Sequence, residues 1–305
     1  MFRRIAVALS ALILLSSAAD AERARLGFGL LLTNDFVGDG EDRWRTGSVT
    51  SSRIWGPEWT GELPNNFGEI IELRIGGEII APANLRTPAA GDRLYAGALS
   101  IGAHTHFQKK NTEFALGADL VLVGSSTGLG RFQDALHDLG GIARPSSGVL
   151  ANQIGNQVRP TFVMETGRSV DLSPTANLRP FIEARAGAET LLRAGFDLSF
   201  GQVGKGELLV RDPVTGQRYR TIKNDGWSGA SFVVGADMAY VESSIYLPTD
   251  RGFSTTDSRD RVRAGLHFQN KNGAGGFYGV TWLGEEFEGQ GGSQVVGSAQ
   301  FNLRF

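Results

Sequence analysis

What most constrains this chain is a recurring segment of about ten residues in which apolar side chains alternate with small or polar ones at a period of two. Residues 112–123, TEFALGADLVLV, show the pattern. Phe114, Leu116, Ala118, Leu120 and Leu122 fall on one face; Ala115, Gly117 and Asp119 fall on the other. Residues 275–282 repeat it, with Phe277, Gly279 and Thr281 set against Tyr278, Val280 and Trp282. Strands of this kind read at 25–34, 46–56, 67–79, 93–108, 111–123, 157–168, 176–188, 192–201, 229–241, 258–270, 273–284 and 294–305. A strand needs ~9–11 residues to cross a bilayer. An open sheet edge in hydrocarbon would leave backbone N–H and C=O groups without partners, so such a sheet has to close. The expected fold is therefore all-β: a 12-stranded antiparallel transmembrane barrel, its even count suiting closure.

The ends agree with an exported protein. Arg3 and Arg4 precede the apolar run Ile5 to Leu15, and Ala19-Asp20-Ala21 gives a small-residue cleavage site. This reads as a secretory leader over 1–21, with the barrel domain at 22–305. No other stretch reaches the ~18 apolar residues of a membrane helix. The chain has no cysteine, which excludes disulfides and thiolate chemistry, and its net charge of −2 offers nucleic acid no basic field. The chain ends SAQFNLRF, with Phe305, Leu303, Phe301 and Ala299 at period two. That ending resembles the last strand of bacterial outer-membrane barrels, which their assembly machinery reads.

Parity assigns the connections to sides. With a periplasmic N-terminus, 35–45, 80–92, 124–156, 189–191, 242–257 and 285–293 face outward. The others, including the long 202–228, fall on the periplasmic side, where GELLVRDP…RYRTIK can form a hairpin. The longest outward connection contains GLGRFQDALHDLGG, 128–141. Leu129, Phe132, Leu136 and Leu139 form one helical stripe, and Gln133 and His137 lie at its shoulder. Gly140-Gly141 ends the helix. The expectation is a short amphipathic helix lying with its apolar stripe on the barrel wall and His137 at the edge of the contact.

Three outward segments carry unusual polar groups: Asn34, Asp35 and Thr46 in the first, Arg86 in the second and His137 in the third. Each has an ordinary use. Asn-Asp at a strand end often makes a turn, an arginine in a loop is often only a surface charge, and a single histidine on a helix is more often structural than catalytic. His104 and His106 share a strand face but have no third ligand, so they read as structural; His267 has no functional context.

Taken in order, these segments resemble the outer-membrane lipid A 3′-O-deacylases, the LpxR-like barrels. That family carries Asn-Asp after its first strand, as Asn34-Asp35 here. An Asp-Arg-aromatic run into Thr follows, as in DRWRTGS at 42–48. Then come a proline loop with Asp-Arg-x-Tyr-Ala-Gly, as Pro82 and DRLYAG at 92–97, and Gln-x-x-x-His before Gly, as Gln133, His137 and Gly141. NQIGNQ at 152–157 is a looser match. The resemblance is close over residues 30–160 and beyond that rests on barrel pattern.

The resemblance implies an outer-membrane enzyme that hydrolyses the 3′-linked acyloxyacyl ester of lipid A in the outer leaflet, with calcium. His137 would activate water, because an imidazole titrates near neutral pH. Asp35, with Asn34, would hold Ca²⁺, a hard cation that prefers oxygen, and Thr46 would hydrogen bond beside it. The family has a lysine at the oxyanion in the second loop; Arg86 is the nearest cation here. Arg131 and Arg144 are candidates for the lipid phosphates. Two positions depart from the pattern: Ala143 stands where some members have Glu, and Gln157 where Glu is common. The rival readings are a non-catalytic barrel (porin, structural or adhesive) and an outer-membrane phospholipase. The latter's His-x-Ser-Asn-Gly context is absent from the sequence.

Overall fold

The computed structural model describes residues 23–141, 143–224 and 226–302. The expected leader at 1–21 and the terminal Phe305 lie outside the described residues. In chain order the strands are β1 (Ala24–Asn34), β2 (Trp44–Gly56), β3 (Ile70–Ala81), β4 (Ala96–Lys109), β5 (Thr112–Val123), β6 (Gln157–Gly167), β7 (Val170–Ser173) and β8 (Ala176–Ala186). They continue as β9 (Glu189–Phe200), β10 (Leu208–Arg211), β11 (Arg218–Ile222), β12 (Gly229–Ser244), β13 (Arg259–Gln269), β14 (Gly275–Leu283) and β15 (Gln294–Asn302).

All pairings are antiparallel. The main sheet runs β6-β5-β4-β3-β2-β1-β15-β14-β13-β12-β9-β8-β7, and the β6–β8 pairing closes it. The short β7 follows a two-residue break after β6 and pairs with the same β8, so the two make one stave. The wall is thus a closed barrel of twelve staves, and all twelve expected segments lie in it. Its periodicity follows its two solvents. Ile101, Leu120, Tyr278 and Trp282 are exposed on the outer wall, where lipid replaces water, whereas Glu72, Arg261 and Arg263 are buried in the lumen.

Charged side chains fill that lumen, and each needs a partner because an isolated buried charge is costly. Arg211 reaches Glu165 at 2.7 Å and Asp197 at 2.8 Å. Asp237 receives Arg193, Arg261 and Arg263. His104 meets Asp119 at 2.9 Å and His106 meets Glu72 at 2.7 Å, so the two histidines serve separate carboxylates. His267 is buried with its ring 4.4 Å from that of Phe277.

The segment 202–228 departs from the expectation. Instead of hanging below the barrel, its hairpin β10–β11 rises into the lumen. Trp59 Nε1 donates to Gly206 O at the periplasmic mouth (3.0 Å), and Thr50 Oγ1 donates to Asp212 near the tip (2.8 Å). Leu208, Val210, Tyr219 and Ile222 pack with Leu31, Ile54, Ile70 and Phe277 of the wall. Its charges are matched as well, Arg220 by Glu207 at 3.1 Å and Arg211 as above. A periplasmic connection becomes a plug because its apolar and charged groups both find complements inside.

Candidate active site

The site lies at the barrel end that carries the long connections, on the outer side of the wall. Strand register sets one row of outward-facing residues there: Gly297 beside Asn34, then Gly47, Ile79 and Gly97. Glycines at both ends of the row admit loop backbone onto the wall. A Cβ on Gly297 would come within 2.2 Å of Val37 O, so the first loop lies against it. Tyr278 on the lipid-facing side of β14 donates its hydroxyl to the same carbonyl at 2.8 Å. A Cβ on Gly97 would come within 2.9 Å of Leu129 Cβ, which places the third loop on the wall as well.

The third loop forms the helix Leu129–Gly140. It follows Gly128 (φ 74°) and ends at Gly141 (φ 65°), whose N–H donates to His137 O; both glycines sit in the left-handed region that side chains disfavour. A second short helix, Ser147–Ala151, packs Val149 with Ala81, Leu85 and Tyr95 on the same outer face. The helix does lie on the wall, but not on the expected face. Leu129 touches the wall, yet Phe132 is 56 % exposed and Leu136 is 49 % exposed. Gln133 and His137 are buried instead. Tyr95 donates its hydroxyl to Gln133 Oε1 at 2.8 Å, which fixes this rotation of the helix. The side chain of Leu139 lies outside the described residues.

Rotated inward, His137 meets the first loop. Its Nδ1 is 2.7 Å from the backbone carbonyl of Ala143, and its Nε2 is 3.4 Å from Asp42 Oδ2. The carbonyl can only accept, so Nδ1 carries a proton, and in the neutral imidazole the lone pair is on Nε2. Ala143, whose side chain has no acceptor, thus holds Nδ1 through its backbone. Asp42 is joined to the rest of the site through Thr46, whose hydroxyl lies 2.5 Å from Asp42 Oδ1 and 3.3 Å from Asp35 Oδ1. Asp35 is 1 % exposed and accepts from Arg43 N at 2.9 Å. Gln294 of β15 braces both sides: its Oε1 accepts from Arg45 N at 3.1 Å and its Nε2 lies 3.5 Å from Asp35 Oδ2.

This cluster has more acceptors than donors. One threonine proton cannot serve two carboxylates, and Asp42 Oδ2 is buried without a hydrogen-bond donor. Burial pushes the Asp35 carboxyl up to about 8, the Arg43 N–H works against that rise, and the neighbouring Asp42 adds to it. Asn34 stands differently. Its Oδ1 accepts from Phe36 N and its Nδ2 donates to Thr46 O, both at 2.9 Å, so it fixes the rim backbone beside Asp35. Arg86 lines an open cleft with His137, Gly141, Arg144 and Ser146. Arg144 is paired with Asp138, and Gln157 accepts from Arg159 at 3.1 Å.

All five expected residues are thus at one rim, with His137, Asp35 and Thr46 joined through Asp42, Asn34 on the rim backbone beside them and Arg86 lining the same cleft as His137. Sequence reasoning missed Asp42, although it opens the quoted DRWRTGS run, and Gln294, which no local pattern marks.

The family description "Outer membrane protein LpxR" matches residues 5–305 of the chain. Among solved structures, LpxR from Salmonella typhimurium superposes with a TM-score of 0.71 at 17 % identity, covering 91 % of this chain and 100 % of that one. The beta domain of the Bordetella autotransporter BrkA reaches a TM-score of 0.44 at 8 % identity, covering 91 % and 99 %. The KdgM porin reaches 0.40 at 5 %, also covering 91 % and 99 %. No curated protein sequence matches the chain.

Proposed function

This chain belongs to the LpxR family of outer membrane proteins, and on that premise we propose that it is a calcium-dependent esterase that removes the 3′-linked acyloxyacyl group of lipid A. The observation that carries the reading is the pair His137–Asp42. The imidazole is held through Nδ1 by the Ala143 carbonyl and turns Nε2 toward the Asp42 carboxylate at 3.4 Å. In its neutral form that imidazole is a base that can take a proton from a water in the cleft.

The steps follow from the residues. Nδ1–H on the Ala143 carbonyl keeps Nε2 free to take a proton from that water as its oxygen attacks the ester carbonyl. Arg86, which lines the same cleft, stabilises the oxyanion that develops. The imidazolium then returns its proton to the sugar oxygen as the acyl–oxygen bond breaks. The products are a lipid A hydroxyl and a free acyloxyacyl acid.

The residues present suit calcium. Asp35, Asp42 and Thr46 offer oxygen ligands, and Asn34 Oδ1 keeps a second lone pair beside them; a cation bound there would favour the ionised form of Asp35. Among the described residues no three His, Asp or Glu side chains form a metal cluster. The site would therefore complete its shell with hydroxyl, amide or water oxygen, as calcium tolerates. When bound there, the ion supplies charge that polarises the ester carbonyl. Access fits a lipid substrate, since the cleft opens on the outer side of the wall, and Arg86 and Arg131 are exposed near it for phosphate. Recognition of the Phe305 ending by the outer-membrane assembly machinery belongs to the same proposal.

The test is the mass spectrum of lipid A from cells expressing the chain or its His137→Ala variant. The expected result is loss of the 3′ acyl mass with the first and not the second. Unaltered lipid A with the intact, folded chain overturns the proposal.

A further inference from the structure

We infer that the helix Leu129–Gly140 is an interfacial anchor, its apolar face seated among the acyl chains of the outer leaflet. Three observations carry this. First, the helix stands on the lipid side of the wall: Leu129 covers the outward-facing Gly97, and Gln133 is tied to Tyr95 in the outer-face cluster with Ala81 and Val149. Second, its rotation is fixed by polar contacts, so Phe132 and Leu136 are left about half exposed on the outer side. Third, the charges beside it suit lipid headgroups. Arg131 lies on the same helix and Arg86 on the neighbouring loop; both are exposed, and neither has an acidic partner within salt-bridge distance among the described residues.

A helix with apolar groups on one face and arginines beside it lies in a membrane interface, its apolar face in the acyl boundary and its cations at the phosphates. The first loop repeats the arrangement. Val37 is pressed against the wall at Gly297, and Phe36 is exposed next to it. Exposed apolar groups therefore stand on both loops that bring the carboxylate cluster and His137 together.

The chain contains no cysteine, so single thiols can be placed at will. Phe132→Cys, Leu136→Cys and, as a control, Asp257→Cys in the loop between β12 and β13 are labelled with an environment-sensitive fluorophore. The full chain is reconstituted in vesicles whose phospholipids carry nitroxide quenchers along the acyl chain. Labels at 132 and 136 are expected to be quenched severalfold more than the label at 257. Equal quenching at all three positions in a folded barrel overturns the inference. So does efficient 132-to-132 disulfide formation between chains, which would mean that a second copy covers the face. Because the readout needs no hydrolysis, a barrel without esterase activity would still report the anchor.

Discussion

His137 and Asp42 meet at the outer rim: Nε2 stands 3.4 Å from Oδ2 while Nδ1 is already held by the Ala143 carbonyl. Replacing His137 by Ala removes the base and should lower turnover by about 10²–10⁴-fold with the barrel intact. Asp42→Asn is the sharper test, because its amide can donate to Nε2 and occupy the lone pair. A time course of lipid A deacylation by the purified variants decides, and wild-type rates for Asp42→Asn would remove this pair from the mechanism.

Asp35 and Asp42 share one threonine proton, so each variant that deletes a carboxylate should weaken calcium binding. Asp35→Ala is expected to raise the dissociation constant by about tenfold or more, since affinity follows the charge of the ligand set. Isothermal titration of the folded barrel in detergent measures this without any substrate. An unchanged constant would place the cation elsewhere.

Gly97 has room for no side chain, because even a Cβ would meet Leu129 at 2.9 Å. Gly97→Leu should lift the helix from the wall at a local cost of about 1–3 kcal/mol, the usual range for overpacking. Limited proteolysis is expected to cut between residues 129 and 140 while the barrel itself resists, and deacylation should fall with it. A protected helix in this variant would show that the wall contact is not what seats His137.

The hairpin β10–β11 occupies the lumen, so the chain should conduct ions poorly across a planar bilayer. Replacing residues 205–224 by a short glycine-serine turn should open measurable channels. Arg211→Ala leaves the plug in place but strips Glu165 and Asp197 of a shared partner. It should destabilise the barrel by about 3–5 kcal/mol in urea unfolding, as for a broken buried pair. Equal conductance with and without the hairpin would mean that it does not seal the pore.

The wall was legible because lipid outside and charge inside impose a two-residue period on every stave, as on Phe114 to Leu122. The 202–228 hairpin was legible as a hairpin but its place in the lumen was not, since Leu208 to Arg211 are buried on every side and carry no alternation. The helix was located correctly and turned the wrong way. Its stripe was read by the rule for a water-soluble surface, where Phe132 and Leu136 would face the protein. On a lipid-facing wall, apolar groups gain nothing by turning inward, and the polar contacts of Gln133 and His137 decide the rotation. The role of Ala143 was hidden for another reason: a backbone carbonyl has no letter in the sequence.

The ion-paired lumen has a consequence for mutation. In a water-soluble enzyme, polar surface positions vary freely and the apolar core resists change. Here the fluid against the wall reshapes itself around Leu120 or Ile101, so swaps among large apolar residues there leave no cavity behind. Asp237, shared by three arginines, has no such latitude. A tolerance map of this chain should read inside out, permissive toward oil and intolerant toward its own centre.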